Sequence, residues 1–233
     1  MKFYLDTASL TEIQEVVSLG LLDGVAMNAY SSTEQGMNFY QRLREICRHV
    51  NGPISVGMLS IEEKAMIKEG KELFKIHENV IVKCPLTPAG LKATKRLTTE
   101  GIKVNVSLCF SLAQALIAAK AGAWCVSLCP DNLDHPQYIE TNRPYHLLSR
   151  YKSDDPSFGD GITLTRQIIR LFQSCGYPTQ ILLTGIRSPE HVRNAALGGA
   201  HICMMPFPVI SNLCDPSVSS SSRPIPVGQE HCL

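Results

Sequence analysis

Short apolar runs alternate with amphipathic segments along most of this chain, and this pattern constrains the fold more than any other feature. Eight runs of four to seven residues are rich in valine, isoleucine and leucine, which predicts strands buried on both faces. The runs lie at 2–5, 23–27, 53–58, 80–84, 103–109, 124–128, 180–184 and 201–205. Strands that alternate with helices run parallel, and eight such units favour a closed (β/α)8 barrel over an open doubly wound sheet.

Helix-start signals mark most of the segments between the runs. Helices are predicted at 10–18, 38–49, 61–75, 88–98, 111–121, 161–174 and 189–198. Capping boxes are predicted for Ser9 with Glu12, Ser60 with Glu63 and Ser111 with Gln114, and N-caps before a proline for Thr87 and Ser188. No Gly-x-Gly-x-x-Gly or Walker-type loop follows a strand, which weakens a nucleotide-binding alternative.

The length of 233 residues suits one core, and the alternation defines a single barrel domain over residues 1–213. Residues 134–160 form an insertion after the sixth run, where a barrel places its catalytic face. Two interpretations of the insertion stay open: a cover over the site, or a surface loop. Residues 214–233 hold four consecutive serines and several prolines, which predicts a disordered tail.

Charge and cysteine content narrow the class of protein. The formal net charge of +1 gives no electrostatic case for nucleic acid or an anionic membrane. No apolar segment is long enough for a signal peptide or a membrane span, so a cytoplasmic protein is expected. Nine cysteines, several inside apolar runs, indicate buried free thiols in a reducing compartment. Cys125 and Cys129 with His135 match no strong zinc pattern, so no metal and no cofactor are expected.

Lys83 lies inside the β-branched run Val80-Ile81-Val82-Lys83-Cys84-Pro85. A lysine in a buried strand loses much of its hydration, and desolvation favours the neutral amine. The neutral amine is the form that attacks a carbonyl group, so this position is a candidate nucleophile. The alternative is a lysine at a strand end whose ammonium group reaches water or a carboxylate.

The predicted carboxyl ends of the strands gather five polar side chains at one mouth of the barrel, where barrel enzymes place their catalysis. They are Asp6, Asn28, Lys83, Ser107 and Arg187. This set suits Schiff-base chemistry on a hydroxylated, phosphorylated carbonyl compound. The lysine adds to a ketone, the carboxylate moves protons, and the amide and hydroxyl orient hydroxyl groups or a water, while the arginine holds phosphate bidentately.

Six segments in fixed order carry a resemblance to a known family. They are Phe3 to Ala8, Asp23 to Asn28, Val82 to Leu91, Gly101 to Ser107, Ala113 to Gly122 and Ile186 to Val192. On these segments the chain resembles the transaldolase family, most closely its small bacterial-type members, which include the fructose-6-phosphate aldolases. The resemblance implies a (β/α)8 barrel with Lys83 as the Schiff-base lysine on the fourth strand. It also implies Asp6 as the proton-transfer residue, Asn28 as a substrate ligand and Arg187 as a phosphate ligand.

The chain departs from the family pattern at several candidate site positions. Met27-Asn28-Ala29-Tyr30 stands where the family has Thr-Asn-Pro-Ser, and Ser107 keeps the hydroxyl of the usual threonine but not its methyl group. The other substitutions are Gly57 for a Glu or Gln, Cys129 and Asn132 for an aromatic residue and a second arginine, and Gly185 for a serine. Together they are interpreted as an eroded site in an intact frame.

The function expected from the resemblance is transfer of a dihydroxyacetone unit between sugar phosphates through Lys83, in carbohydrate (pentose phosphate) metabolism. A related alternative is aldol cleavage of fructose 6-phosphate. A third alternative, of a different class, is a catalytically impaired barrel that acts as a binding or scaffold protein. The expected partner is a sugar-phosphate substrate, and a homo-oligomer stays open.

Overall fold

Eight parallel strands close into a barrel in the computed structural model, which describes residues 1–28, 38–128 and 161–215. Each strand pairs with the next along the chain, and the eighth pairs with the first. The strands are β1 Lys2–Asp6, β2 Gly24–Met27, β3 Ile54–Gly57, β4 Val80–Pro85, β5 Val104–Cys109, β6 Cys125–Leu128, β7 Gln180–Leu183 and β8 Ile202–Met205. The predicted (β/α)8 barrel is therefore confirmed.

Eight helices flank these strands within the described ranges. They are α1 Leu10–Ser18, α2 Phe39–His49, α3 Glu63–Phe74, α4 Pro88–Thr99, α5 Leu112–Lys120, α6 Gly161–Cys175, α7 Pro189–Gly198 and α8 Phe207–Leu213. The predicted insertion at 134–160 and all but the first two residues of the predicted tail lie outside the described residues, so both stay predictions. No helix in the described ranges is long and apolar enough to cross a membrane.

Burial on both faces of the strands gives two apolar clusters. The larger one lies between the strands and the surrounding helices and includes Val25, Val56 and Val82. A smaller one joins Tyr4, Cys125, Leu182 and Ile202. Because side chains alternate along a strand, these four positions fill the interior of the barrel, as the layered core of this architecture requires.

A β-bulge interrupts β5 near its carboxyl end. Val106 pairs with Val126 and Cys109 pairs with Leu128, so between these two pairs β5 advances by three residues while β6 advances by two. Leu108 has φ +63°, the left-handed region that branched side chains rarely adopt. Such a bulge changes the direction of the side chains that follow it. Ser107 keeps the inward direction of the strand, while Cys109 is buried in the outer core.

Four of the predicted N-caps are confirmed: Ser9, Thr87, Ser111 and Ser188 each accept a hydrogen bond from the first turn of the helix that follows. The predicted boxes differ in their second half, because Glu12 accepts from Thr7 and Gln114 from Phe110. The predicted capping box at Ser60 is wrong. α3 has Glu62 at its N-cap position, without a side-chain cap bond. Glu69 accepts hydrogen bonds from the N–H groups of Leu59 and Ser60, each at 2.9 Å. The helix therefore holds this loop through a carboxylate two turns further on.

The predicted buried thiols are confirmed at Cys84, Cys109, Cys125 and Cys203, all free. Burial raises the pKa of the Cys84 and Cys203 thiols to about 12. These thiols are therefore protonated and inert at neutral pH, because the thiolate is the reactive form.

The hydroxyl of Tyr4 generates a prediction about stability. Its oxygen is buried and has no hydrogen-bond partner among the described residues. An unsatisfied buried polar group costs about 1–3 kcal/mol. We expect Tyr4→Phe to leave the free energy of unfolding unchanged or to raise it by about 1 kcal/mol, measured by urea denaturation.

Tyr4→Ala is the control, because it empties the interior and is expected to cost about 3–5 kcal/mol. A loss of more than about 1 kcal/mol in Tyr4→Phe would show that the hydroxyl makes a stabilising hydrogen bond in solution.

Candidate active site

All five predicted site residues lie at the carboxyl end of the barrel. Asp6 ends β1, Asn28 directly follows β2, and Lys83 and Ser107 lie in the carboxyl halves of β4 and β5. Arg187 follows β7 by four residues, in the loop that leads to α7. In a closed parallel barrel these strand ends form one mouth, so the chain presents the five groups to the same space.

Lys83 and Asn28 are in direct contact. The Nζ atom of Lys83 donates a hydrogen bond to Oδ1 of Asn28 over 3.2 Å, and both residues are half-buried. The bond crosses from β4 to the end of β2 and passes over β3. Lys83 is therefore held by an amide oxygen at the mouth, which fixes the position of its nitrogen.

Gly57 lies at the strand position between these two residues, paired with Lys83 on the neighbouring strand. A Cβ atom at Gly57 would lie 3.1 Å from Oδ1 of Asn28, which is tighter than ordinary van der Waals contact. The amide of Asn28 therefore occupies space beside β3 that a side chain would contest. The sequence interpretation of Gly57 as a simple loss missed this geometry.

Beneath the mouth, three buried polar side chains form a hydrogen-bonded chain that sequence reasoning missed. The Oγ–H of Ser127 donates to Oδ1 of Asn105 at 2.7 Å, and Nδ2 of Asn105 donates to Oγ of Ser55 at 3.1 Å. Asn105 pairs with Lys83 in the sheet. Strand alternation could have indicated them. Asn105 lies two residues before Ser107, and Ser55 lies two residues before Gly57, so each shares a strand face with a position that the sequence analysis discussed. The chain ties β3, β5 and β6 together under the lysine.

The hydroxyl of Ser107 contacts the backbone of the strand that carries the lysine. Its Oγ–H donates to the carbonyl oxygen of Cys84 over 3.3 Å. The thiol of Cys84 itself is fully buried, and burial raises its pKa to about 12. The Lys83 amine and the Cys84 thiol are adjacent candidate nucleophiles, and only the amine lies at the mouth.

The carboxylate of Asp6 is exposed at the end of β1, and the backbone that follows it is fixed. Thr7 donates its backbone N–H to the carbonyl oxygen of Ala26 at 3.1 Å. The hydroxyl of Thr7 donates to Glu12 at 2.5 Å and accepts from the N–H of Ser9 at 3.0 Å. Asp6 therefore stands on a rigid turn, which limits the positions its carboxylate can reach.

The loop that carries Arg187 is also fixed along its length. Thr184 donates both its N–H and its hydroxyl to the carbonyl oxygen of Leu128, at 2.9 and 3.2 Å. Gly185 turns the chain with φ +74°, a conformation that a serine adopts only with strain. Ile186 is buried, and the exposed Arg187 follows it. The turn therefore favours the glycine at 185, which the sequence analysis interpreted as the replacement of a serine.

Five positions named in the sequence analysis lie outside the described residues: Ala29, Tyr30, Cys129, Asn132 and His135. The departures from the family pattern at the first four therefore stay sequence observations. Within residues 1–28, 38–128 and 161–215, no three His, Cys, Asp or Glu side chains cluster as metal ligands.

Comparison with known proteins places this geometry in a family. The sequence pattern of the family described as "Transaldolase/Fructose-6-phosphate aldolase" matches residues 3–225. A "Probable transaldolase" of Bacillus cereus is 42% identical over 213 residues, which cover 91% of this chain and 89% of that protein. A "Probable transaldolase" of Methanococcus vannielii is 39% identical over 219 residues, covering 94% and 92%.

Among solved structures, one described as "Native KDPGal structure" superposes with a TM-score of 0.56 at 15% identity, over 87% of this chain and 80% of that one. This likeness concerns the barrel alone. The match to the family pattern and the identity to the two relatives extend over nearly the whole chain, so this protein belongs to the transaldolase/fructose-6-phosphate aldolase family.

Proposed function

We propose that this protein is a Schiff-base transaldolase that transfers a dihydroxyacetone unit between sugar phosphates through Lys83. The observation that carries the proposal is the half-buried amine of Lys83, held by Asn28 at the mouth of the barrel. Family membership supports the reaction class, because family and relatives are named for transaldolase or aldolase activity. We place this reaction in the carbohydrate metabolism of the cytoplasm, where free thiols stay reduced.

In the proposed cycle, the neutral amine of Lys83 attacks the ketone carbon of a donor sugar, and the carbinolamine loses water to give an iminium ion. Removal of the proton from the C4 hydroxyl breaks the C3–C4 bond, which releases an aldehyde and leaves an enamine on the lysine. The enamine then attacks a second aldehyde, whose oxygen takes up a proton. Hydrolysis of the new iminium ion frees the product and restores the amine.

We assign roles to the neighbouring groups on chemical grounds. Asp6 supplies the carboxylate that takes and returns protons, because it stands at the mouth on a fixed turn. Asn28 orients the amine through its amide oxygen. Ser107 offers a hydroxyl beside the lysine strand, and the exposed guanidinium of Arg187 binds the substrate phosphate. The proposed catalytic unit is the barrel domain of residues 1–213.

Two alternatives differ from this proposal: one forms the lysine adduct but ends differently, and the other forms no adduct. Aldol cleavage of fructose 6-phosphate uses the same lysine adduct but ends when the enamine takes up a proton in place of a second aldehyde. A non-catalytic binding or scaffold role forms no adduct. Each therefore gives a different product pattern in the experiment that follows.

The first prediction concerns the lysine adduct. Incubation with dihydroxyacetone or fructose 6-phosphate followed by borohydride is expected to add the donor fragment to Lys83, detected by peptide mass spectrometry. Lys83→Met is expected to abolish the adduct. Lys103→Met is the matched control, because that lysine lies beside the same sheet, over the ring of Trp124, and is expected to leave the adduct unchanged.

An adduct on other lysines, or an unchanged yield in Lys83→Met, contradicts the proposal. An adduct together with product only when an acceptor aldehyde is present supports transfer. An adduct with release of dihydroxyacetone alone supports cleavage. No adduct under any of these conditions supports the non-catalytic alternative.

The second prediction concerns Gly57. The Cβ atom of Gly57→Ala meets Oδ1 of Asn28 at 3.1 Å, so the amide must shift by a few tenths of an ångström from its position beside the lysine. The hydrogen bond weakens, and we expect adduct formation at Lys83 to slow about 5- to 10-fold, as loss of roughly 1–1.4 kcal/mol implies. The measurement is the rate of borohydride-trapped adduct against time.

The double variant Gly57→Ala with Asn28→Ala tests whether the effect passes through Asn28. If it does, adding the alanine at 57 slows Asn28→Ala no further. Independent, additive losses would show that Gly57 acts on the site by another route.

A further inference from the structure

We propose that His191 is a positioning residue that holds Arg187 for phosphate binding. Nδ1 of His191 accepts a hydrogen bond from the backbone N–H of Arg187 at 3.3 Å. The inference rests on the proposed function, since it assigns His191 to the phosphate end of the same site. It adds a residue to which the sequence analysis assigned no role, although His191 lies in the family segment Ile186 to Val192.

The contact arises from the position of His191 in α7. Ser188 caps this helix and accepts from the N–H of His191 at 3.3 Å, and Pro189 occupies the first turn. His191 is thus the third residue of the helix, the position from which a capping-box side chain reaches back toward the chain before the helix. Here it reaches one residue beyond the cap, to Arg187.

Other contacts hold the loop on both sides of Arg187, and the bond to His191 holds Arg187 itself. Thr184 is bonded to β6, and Ile186 is buried, so the chain is anchored up to the residue before Arg187. Ser188 is held as the cap on the other side. The N–H bond to His191 fixes Arg187 itself between these anchors. A fixed backbone lowers the entropy lost when the guanidinium binds phosphate, which is how preorganisation raises affinity.

The chemistry of the ring defines a conservative replacement. Because Nδ1 accepts the bond, it carries no proton, and the proton of the neutral ring is on Nε2. An asparagine places its Oδ1 acceptor at the same branch of the side chain and can accept the same bond. A leucine fills similar space and offers no acceptor. His191→Asn and His191→Leu therefore separate the hydrogen bond from mere packing.

The same type of bond occurs on another loop of the mouth, which offers a matched control. Gln114 is the third residue of α5, after its cap Ser111, and its Oε1 accepts from the backbone N–H of Phe110 at 2.7 Å. The residue held there is an apolar one. Gln114→Leu removes an equivalent helix-start bond and is expected to lower thermal stability by a similar amount without affecting phosphate affinity.

The experiment measures the dissociation constant of fructose 6-phosphate by calorimetry for the full chain and its variants. Arg187→Ala and His191→Leu are each expected to weaken binding, the second roughly fivefold, as loss of one hydrogen bond implies. His191→Asn is expected to restore binding, and Gln114→Leu to leave it unchanged. With dihydroxyacetone, which has no phosphate, Gln114→Leu is expected to leave the rate of borohydride-trapped adduct unchanged, and His191→Leu is expected to change that rate by less than it changes the dissociation constant of fructose 6-phosphate.

Each outcome separates the inference from the function on which it rests. If Arg187→Ala weakens binding and His191→Leu does not, the role of His191 is overturned while the phosphate role of Arg187 stands. If His191→Leu slows the dihydroxyacetone adduct as much as it weakens fructose 6-phosphate binding, or if Gln114→Leu weakens that binding as much as His191→Leu does, the effect is general and the inference fails. If Arg187→Ala changes nothing, or the unaltered protein does not bind fructose 6-phosphate, the phosphate site and this inference fall together.

Discussion

Closure of the parallel sheet is the constraint on which the rest of this structure depends. When β8 pairs with β1, no strand is left as a sheet edge, and all eight carboxyl ends meet at one mouth. An inward-pointing polar side chain near the carboxyl end of a strand then enters a shared space. The contact between Lys83 and Asn28, 55 residues apart in the chain, is a direct result of that closure.

The loops at the mouth are held by the helices that follow them. Glu12, Gln114 and His191, each the third residue of its helix, bind the chain just before the helix begins. The first N–H groups of a helix have no acceptor within the helix, and the cap residues that accept hydrogen bonds from them lie beside the strand ends. Local helix capping and the rigidity of the site therefore come from the same short segments.

Much of this architecture could be predicted from sequence because it is encoded locally. β-branched runs and the caps at Ser9 and Ser188 predicted the strands and helix starts from neighbouring residues alone. Contacts between distant residues could not be predicted in this way. The bond of Glu69 to the N–H of Ser60 replaced a predicted cap, and the space shared by Gly57 and Asn28 needs the positions of two strands.

The bulge in β5 has a chemical consequence for the proposed reaction, which releases an aldehyde. In a regular strand Cys109 would follow Ser107 by two residues and face the mouth. The extra residue at Leu108 turns this thiol into the outer core, where burial raises its pKa to about 12. In the proposed reaction, a thiol at the mouth would add to the released aldehyde and hold it as a hemithioacetal. The strained backbone at one leucine keeps the thiol of Cys109 out of that space.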